Sequence, residues 1–350
     1  MQYLEKIDKN LWYTNFGPLV REFEARLGKL FDPDDCLATT SSGTSALELA
    51  LLALNLPRGA NVLLPALTFI GTATAVTRAG CTPALADIDS NKWILTAETA
   101  RDAARKLPLA AVMPVSTFGH PQDISAWDYF VSETGIPVII DAAGAFGNQR
   151  VGSRTIVCFS FHATKAFGTS EGGLVVAKDR GLIEKIRRLT NFGIDLTSGL
   201  VSCAGTNAKL SEYHAAVGLA NLDRWPETAR RRRQLCQTYT GLLSEHCGNV
   251  TVQDKPTDGI YTTFSICLPR EFSRDTIVSR LRSFGVETRA WFCPLIHDHP
   301  VFRGIWTTGS LPIARDMSRR LLGIPFHLKL TAEDQEYVAR RIRDSFGRIG

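Results

Sequence analysis

Short apolar runs alternate with stretches of helical periodicity through the first half of the chain, and the alternation predicts its elements in order. Gly17-Pro18 opens a helix in which Leu19, Phe23, Leu27 and Leu30 recur at helical spacing. Cys36 to Thr40 is a predicted strand, and Ser41-Ser42-Gly43 is the turn into a helix over Thr44 to Leu54. Strands follow at Asn61–Leu64, Ala84–Ile88, Ala110–Val115 and Val138–Asp141, with helices between them at Gly71–Ala79, Ala97–Lys106 and Ser125–Thr134. Val157–Phe161 and Gly173–Ala177 are two further strands. Strands and helices in alternation predict an α/β fold with a largely parallel sheet covered on both faces.

The pattern changes near residue 208. A long helical stretch over Ser211 to Arg233 is interrupted at Trp225-Pro226, where a helix is expected to kink or restart. A strand at Tyr261–Leu268, a helix at Arg274–Phe284, a strand at Glu287–Phe292 and helices at Arg315–Leu322 and Ala332–Phe346 complete a smaller α+β unit. The expected domains are residues 1–226 and 227–350.

Composition narrows the class. With 350 residues, 44% hydrophobic, 21% charged and a net charge of +5, the chain is an ordinary globular one. The run Arg230 to Arg233 lies in a helical stretch without interleaved aromatics, so it predicts a solvated helix face and no nucleic-acid partner. Eight cysteines show no paired C-x-x-C spacing, and no metal site is expected. The charged N-terminus lacks a signal-peptide core, and no apolar stretch approaches the roughly 20 residues that span a bilayer. A cytoplasmic, reduced protein without a membrane partner is expected.

The chemistry concentrates around Lys165. It ends Ser160-Phe161-His162-Ala163-Thr164-Lys165, and Gly168-Thr169-Ser170-Glu171-Gly172-Gly173 follows. Upstream, the apolar run Pro137 to Ile140 ends in Asp141, at the end of a strand where open α/β sheets bind ligands. A lysine able to form a Schiff base and an aspartate able to pair with a pyridinium nitrogen are what pyridoxal 5'-phosphate (PLP) requires. Gly43 and Thr44 stand at a helix N-terminus, where free N–H groups favour an anion, although plain N-capping also explains such a turn. Each feature alone has an ordinary explanation: a surface lysine, a capping aspartate, a core Phe69, a satisfied His162. Their order along one chain does not.

These residues resemble the DegT/DnrJ/StrS family of PLP-dependent sugar aminotransferases, which have the fold-type I architecture. The likeness runs from Tyr13 to Pro18 through Ser42 to Glu48, Pro65 to Phe69, Asp141 to Ala143, Ser160 to Lys165 and Gly205 to Glu212, to Glu287-Thr288-Arg289 and Pro294-Leu295. The family usually has a short segment before the first of these, so this N-terminus is expected to be slightly short. The resemblance implies that Lys165 bonds the cofactor, Asp141 keeps its ring nitrogen protonated, and Phe69 stacks on the ring. It implies that Gly43, Thr44 and Ser160 hold the phosphate, that His162 lies near the cofactor, and that Asn207 reaches the phosphate of a second subunit. A homodimer with shared active sites is therefore expected. The implied reaction moves an amino group from an amino acid, expected to be L-glutamate, to a nucleotide-linked keto-deoxysugar, with dTDP-hexose aminotransferases the nearest in pattern. Transfer to another ketone such as a cyclitol, a PLP-dependent sugar dehydration, and a non-catalytic regulator with this fold are the competing readings. Some family dehydratases have His in place of the Schiff-base lysine, and Lys165 speaks against that variant. One position departs from the pattern: Gly144 stands where many members have Gln or His touching the cofactor's phenolic oxygen.

Overall fold

The computed structural model of the protein describes residues 2–347. Met1 and the last three residues of the expected second domain lie outside them. The helices are α1 (Gln2–Asn10), α2 (Pro18–Gly28), α3 (Gly43–Ala53), α4 (Ile70–Arg78), α5 (Ala97–Ala104), α6 (Ile124–Thr134), α7 (Arg180–Thr190), α8 (Glu212–His246), α9 (Arg274–Ser283), α10 (Pro312–Arg320) and α11 (Ala332–Ser345). The strands are β1 (Cys36–Thr40), β2 (Asn61–Pro65), β3 (Thr82–Ala86), β4 (Ala111–Val112), β5 (Val138–Asp141), β6 (Thr155–Ser160), β7 (Gly173–Ala177), β8 (Thr251–Val252), β9 (Phe264–Cys267) and β10 (Leu321–Ile324).

Seven strands form one sheet in the order β1-β7-β6-β5-β4-β2-β3. Pairing is parallel from β3 through β6, and β7 is antiparallel to both β6 and β1, so only β7 runs against the rest. The α/β expectation holds. Near-continuous apolar runs such as Val138-Ile139-Ile140 are buried on both faces because helices cover both. One layer includes α3 and α4 in a cluster around Leu49, Leu64 and Ile139. The other includes α2, α6 and the first part of α8 around Phe23, Trp127 and Phe159.

Helix α8 runs continuously through Pro226, so the helix does not restart there. Proline removes one backbone donor and crowds the preceding turn, but packing on both sides offsets that cost. Trp225 lies against Phe146 and Phe167, and Leu219, Leu222 and Ala229 join the same cluster. Further along, Cys236, Tyr239 and Leu243 enter a separate cluster with Phe264, Leu281 and Ile342, over the three-stranded sheet β10-β9-β8. The boundary expected near Pro226 therefore falls inside one helix. Part of the C-terminal stretch also returns to the large core: Leu295, Phe302, Leu311 and Met317 join the α3 and α4 cluster. The Asp87 carboxylate accepts the N–H groups of Ile313 and Ala314 at the start of α10, at 2.9 and 2.8 Å.

The strand expected at Glu287–Phe292 is reduced to a single bridge, Arg289 to Gly323. The Trp291 indole occupies the space over Gly323, where an added Cβ would meet it at 2.5 Å, and the chain leaves the sheet edge there. The helix expected to run to Leu322 ends at Arg320, and Leu321 to Ile324 form the buried strand β10 instead. Helices α1 and α7 and the two-residue β8 were not predicted. The arginine run is not a freely solvated face either. Arg232 is buried and donates to the Tyr261 carbonyl, while Arg231 and Arg233 donate to the carbonyls of Leu328 and Asp258. All eight cysteines are free. Among the described residues, no helix is long and apolar enough to cross a membrane and no cluster of side chains could hold a metal ion.

Candidate active site

The reversed strand β7 assembles the anion-binding part of the site. Gly173, its first residue, pairs with Thr40 of β1 on one side and Ser160 of β6 on the other. A Cβ at Gly173 would lie 2.3 Å from the Ser42 carbonyl oxygen, so only glycine lets the Ser41-Ser42 turn close over it. Across that turn, a Cβ on Gly43 would lie 2.6 Å from the Ser160 Cβ. The glycine-rich continuation after Lys165 is thus required by close approach.

The turn also separates capping from anion binding. Ser42 caps α3, its hydroxyl accepting from the Ser45 N–H at 3.1 Å, and its carbonyl accepts from Ala46. Among the described residues, the Gly43 and Thr44 amides and the Thr44 hydroxyl make no hydrogen bond. Three donors thus stand at the positive end of a helix beside Ser160, which suits a phosphate group.

Asp141 ends β5 and is buried, 4% exposed. Thr72 on α4 donates to its Oδ2 at 2.7 Å and the Ala143 N–H to its Oδ1 at 3.1 Å. Burial pushes the carboxyl pKa up, while these two bonds and the charge of Lys165 oppose the rise. Lys165 is half-buried on the loop after β6, and loss of hydration lowers its pKa against the pull of Asp141. Each group is held where its charge is costly until a partner arrives. A cationic ring nitrogen would satisfy the carboxylate, and a neutral amine is the form that attacks a carbonyl.

Phe69 caps α4 and is 57% exposed. Gly71 lies under its ring and beside the Thr44 hydroxyl, at 3.1 and 3.4 Å from a Cβ placed there. Phe69 therefore overhangs the region between the anion turn and Asp141. Phe292 stands 5.9 Å from it, centroid to centroid, and stacks on Phe118 at 5.3 Å.

Six of the expected residues are thus brought together: Gly43, Thr44, Phe69, Asp141, Ser160 and Lys165. His162 is exposed on the loop, with Nδ1 2.9 Å from the Thr164 Oγ1 and Nε2 3.5 Å from Glu171. Those contacts order the loop that carries Lys165. Asn207 is exposed beside the anion turn, where the neighbouring Ala208 carbonyl accepts from the Ser41 N–H at 2.7 Å. Gly144 has room for a side chain, since an added Cβ would meet nothing closer than the Gly119 nitrogen at 3.8 Å. Thr72 and Phe118 were not singled out in the sequence, whereas Phe292 falls in the segment Trp291 to His299, which the sequence offers either as a contributor to the substrate site or as core packing. The signal for Thr72 was Thr68-x-x-x-Thr72, two hydroxyls one turn apart where α4 is buried, and the two are 2.8 Å apart.

The residues fit pyridoxal phosphate on all three counts, namely a phosphate turn, a strand-end carboxylate and a desolvated lysine. Fold and site together fit a PLP-dependent protein of fold type I. Residues 1–343 match the DegT/DnrJ/EryC1/StrS aminotransferase family, and the chain belongs to it. It is 30% identical to dTDP-4-amino-4,6-dideoxy-D-glucose transaminase of Shigella dysenteriae, over 98% of this chain and 94% of that one. Among solved structures, DesI in the presence of its TDP-sugar product is 33% identical with a TM-score of 0.86, covering 98% of this chain and 88% of the other. NtdA from Bacillus subtilis with bound cofactor PMP, the amino form of the cofactor, is 25% identical with a TM-score of 0.89, covering 98% and 80%.

Proposed function

We propose that the protein transfers an amino group from L-glutamate to the ketone of a dTDP-linked keto-deoxysugar. The observation that carries this reading is the desolvated Lys165 facing the buried Asp141 beside a phosphate turn, in a chain whose relatives include a dTDP-sugar transaminase and an enzyme solved with a TDP-sugar product. When bound, the cofactor supplies an electron sink for the carbon that loses its proton. Asp141 holds positive charge on the ring nitrogen, and Thr72 and the Ala143 amide keep that carboxylate in place. The Gly43 and Thr44 amides with the Ser160 hydroxyl anchor the phosphate end, and Phe69 covers the ring. The Lys165 amine would take the proton from the donor's α-carbon in the first half-reaction and, as the ammonium, would return one to the sugar carbon in the second; its lowered pKa favours the first step because a base must be neutral to accept. The test is incubation with a panel of nucleotide-linked ketosugars plus glutamate, read by product mass. A mass gain for a dTDP-ketosugar supports the reading. Amination of a cyclitol alone would overturn the substrate class, and failure of glutamate to bleach the visible absorbance of the lysine-bound cofactor would overturn the donor.

The working unit in this reading is a homodimer in which Asn207 serves the partner's phosphate. A charge-assisted hydrogen bond is worth about 1.5–3 kcal/mol, so Asn207→Ala is expected to weaken cofactor binding roughly ten- to hundredfold. Complementation locates the contact. Lys165→Ala chains and Asn207→Ala chains, the latter held at a cofactor concentration too low to load them, are expected to regain activity when mixed and allowed to exchange, because one site in each heterodimer then carries neither lesion. A mixture that stays inactive despite proven heterodimers would mean that Asn207 serves its own subunit, or no site at all.

A further inference from the structure

Asn207 is the one residue of the proposed phosphate set whose side chain must be oriented to be useful, because an amide has a donor end and an acceptor end. A phosphate needs the donor. The Lys209 ammonium donates to the Asn207 Oδ1 at 2.9 Å, and a lysine has only donors to offer. With the carbonyl end of the amide taken, its NH2 end is the one turned away from Lys209. The ammonium is itself held, lying 4.9 Å from the centroid of the half-exposed Phe192 ring. Phe192 takes a left-handed backbone conformation, with φ of 58°, and its N–H donates to the Thr206 carbonyl at 3.0 Å.

The backbone beneath this stack is fixed on both sides. Asn207 bridges to Asn191, and the Ala208 N–H donates to the Thr190 carbonyl at 2.9 Å. The Ala208 carbonyl accepts from Ser41, the first residue of the anion turn. Ring, ammonium and amide therefore form a short series on a pinned segment. We infer that Lys209 is a positioning residue: by occupying the Asn207 carbonyl oxygen, it presents the amide NH2 to the cofactor phosphate. This rests on the reading that Asn207 binds that phosphate, in whichever subunit.

The test is equilibrium titration of the full chain, stripped of cofactor, with pyridoxal 5'-phosphate and with pyridoxal, followed by absorbance. Lys209→Met keeps the stem and loses the donors. It is expected to weaken pyridoxal phosphate binding roughly three- to tenfold, leave pyridoxal binding unchanged, and be rescued by Lys209→Arg. In an Asn207→Ala background, Lys209→Met is expected to add nothing. An unchanged affinity for pyridoxal phosphate in Lys209→Met, an equal loss for pyridoxal, or an additive loss in the Asn207→Ala background would each overturn the inference while leaving Asn207 in its role. Asn207→Ala with unaltered affinity for the phosphorylated cofactor would remove the reading of Asn207 itself, and this inference with it.

Discussion

Lys165→Ala and Lys165→Arg are both expected to lose turnover entirely while keeping the fold. Lys165 is half-buried on a loop whose backbone bonds, Lys165 to His162 and Ala163 to Ser170, do not involve its side chain. The arginine variant is the informative one, since it retains charge and reach but a guanidinium cannot form an imine or take up a proton near neutrality. Borohydride reduction and peptide mapping of the native protein are expected to place the pyridoxyl group on Lys165, and recovery on Lys178 or Lys209 would contradict the assignment. The lowered pKa adds a pH signature. A lysine whose charged form is disfavoured becomes neutral at lower pH than an ordinary lysine, for which the value is 10.5. The rate of cofactor capture by the stripped protein is therefore expected to rise with pH and level off below that value. A midpoint at or above 10.5 would mean that the amine is not desolvated in solution.

The parts of the fold that were legible in the sequence are those where one physical constraint dominates. Strands covered on both faces are apolar nearly throughout, whichever way they run, so Val138 to Asp141 and Gly173 to Ala177 were found with their observed ends. The hidden parts are those where tertiary packing overrides a local rule. Pro226 signals a break, yet with the cluster around Trp225 packed on it α8 continues through. Leu321 and Leu322 continue a helical pattern, but pairing with β9 makes Leu321 to Ile324 a strand. The site divides the same way. Gly43, Asp141 and Lys165 stand in local segments with recognisable neighbours. Thr72 is 69 positions from the carboxylate it serves, and no spacing rule spans that distance. Phe292 meets Phe69 and Phe118 only through the folding back of the C-terminal stretch. Glycine is ambiguous in sequence, where close approach and an omitted side chain look alike. The structure separates Gly173, which has no room for a Cβ, from Gly144, which does.

Asp141→Asn is expected to retain cofactor and to lose roughly a hundred- to a thousandfold in rate, the scale seen when a preorganised charge is removed from a reacting site. The substitution is nearly isosteric, and its amide oxygen can still accept from Thr72 or Ala143, so the strand end and α4 are expected to keep their positions. What is lost is the negative charge that holds a proton on the ring nitrogen. The same change tests the coupling between the two groups by an independent route. The Asp141 charge raises the Lys165 pKa against the effect of burial. Its removal leaves burial unopposed, so the lysine is expected to become neutral at still lower pH. The midpoint of cofactor capture therefore moves down in Asp141→Asn, while the subsequent half-reaction with glutamate slows. Capture and turnover change in opposite directions because the carboxylate plays two parts: it favours the charged form of Lys165, against burial, before the cofactor binds, and the charged form of the ring nitrogen afterwards. A variant with near-normal turnover would show that the carboxylate does not face the ring. A slow variant with an unmoved capture midpoint would show that Asp141 and Lys165 are not electrostatically coupled across the site.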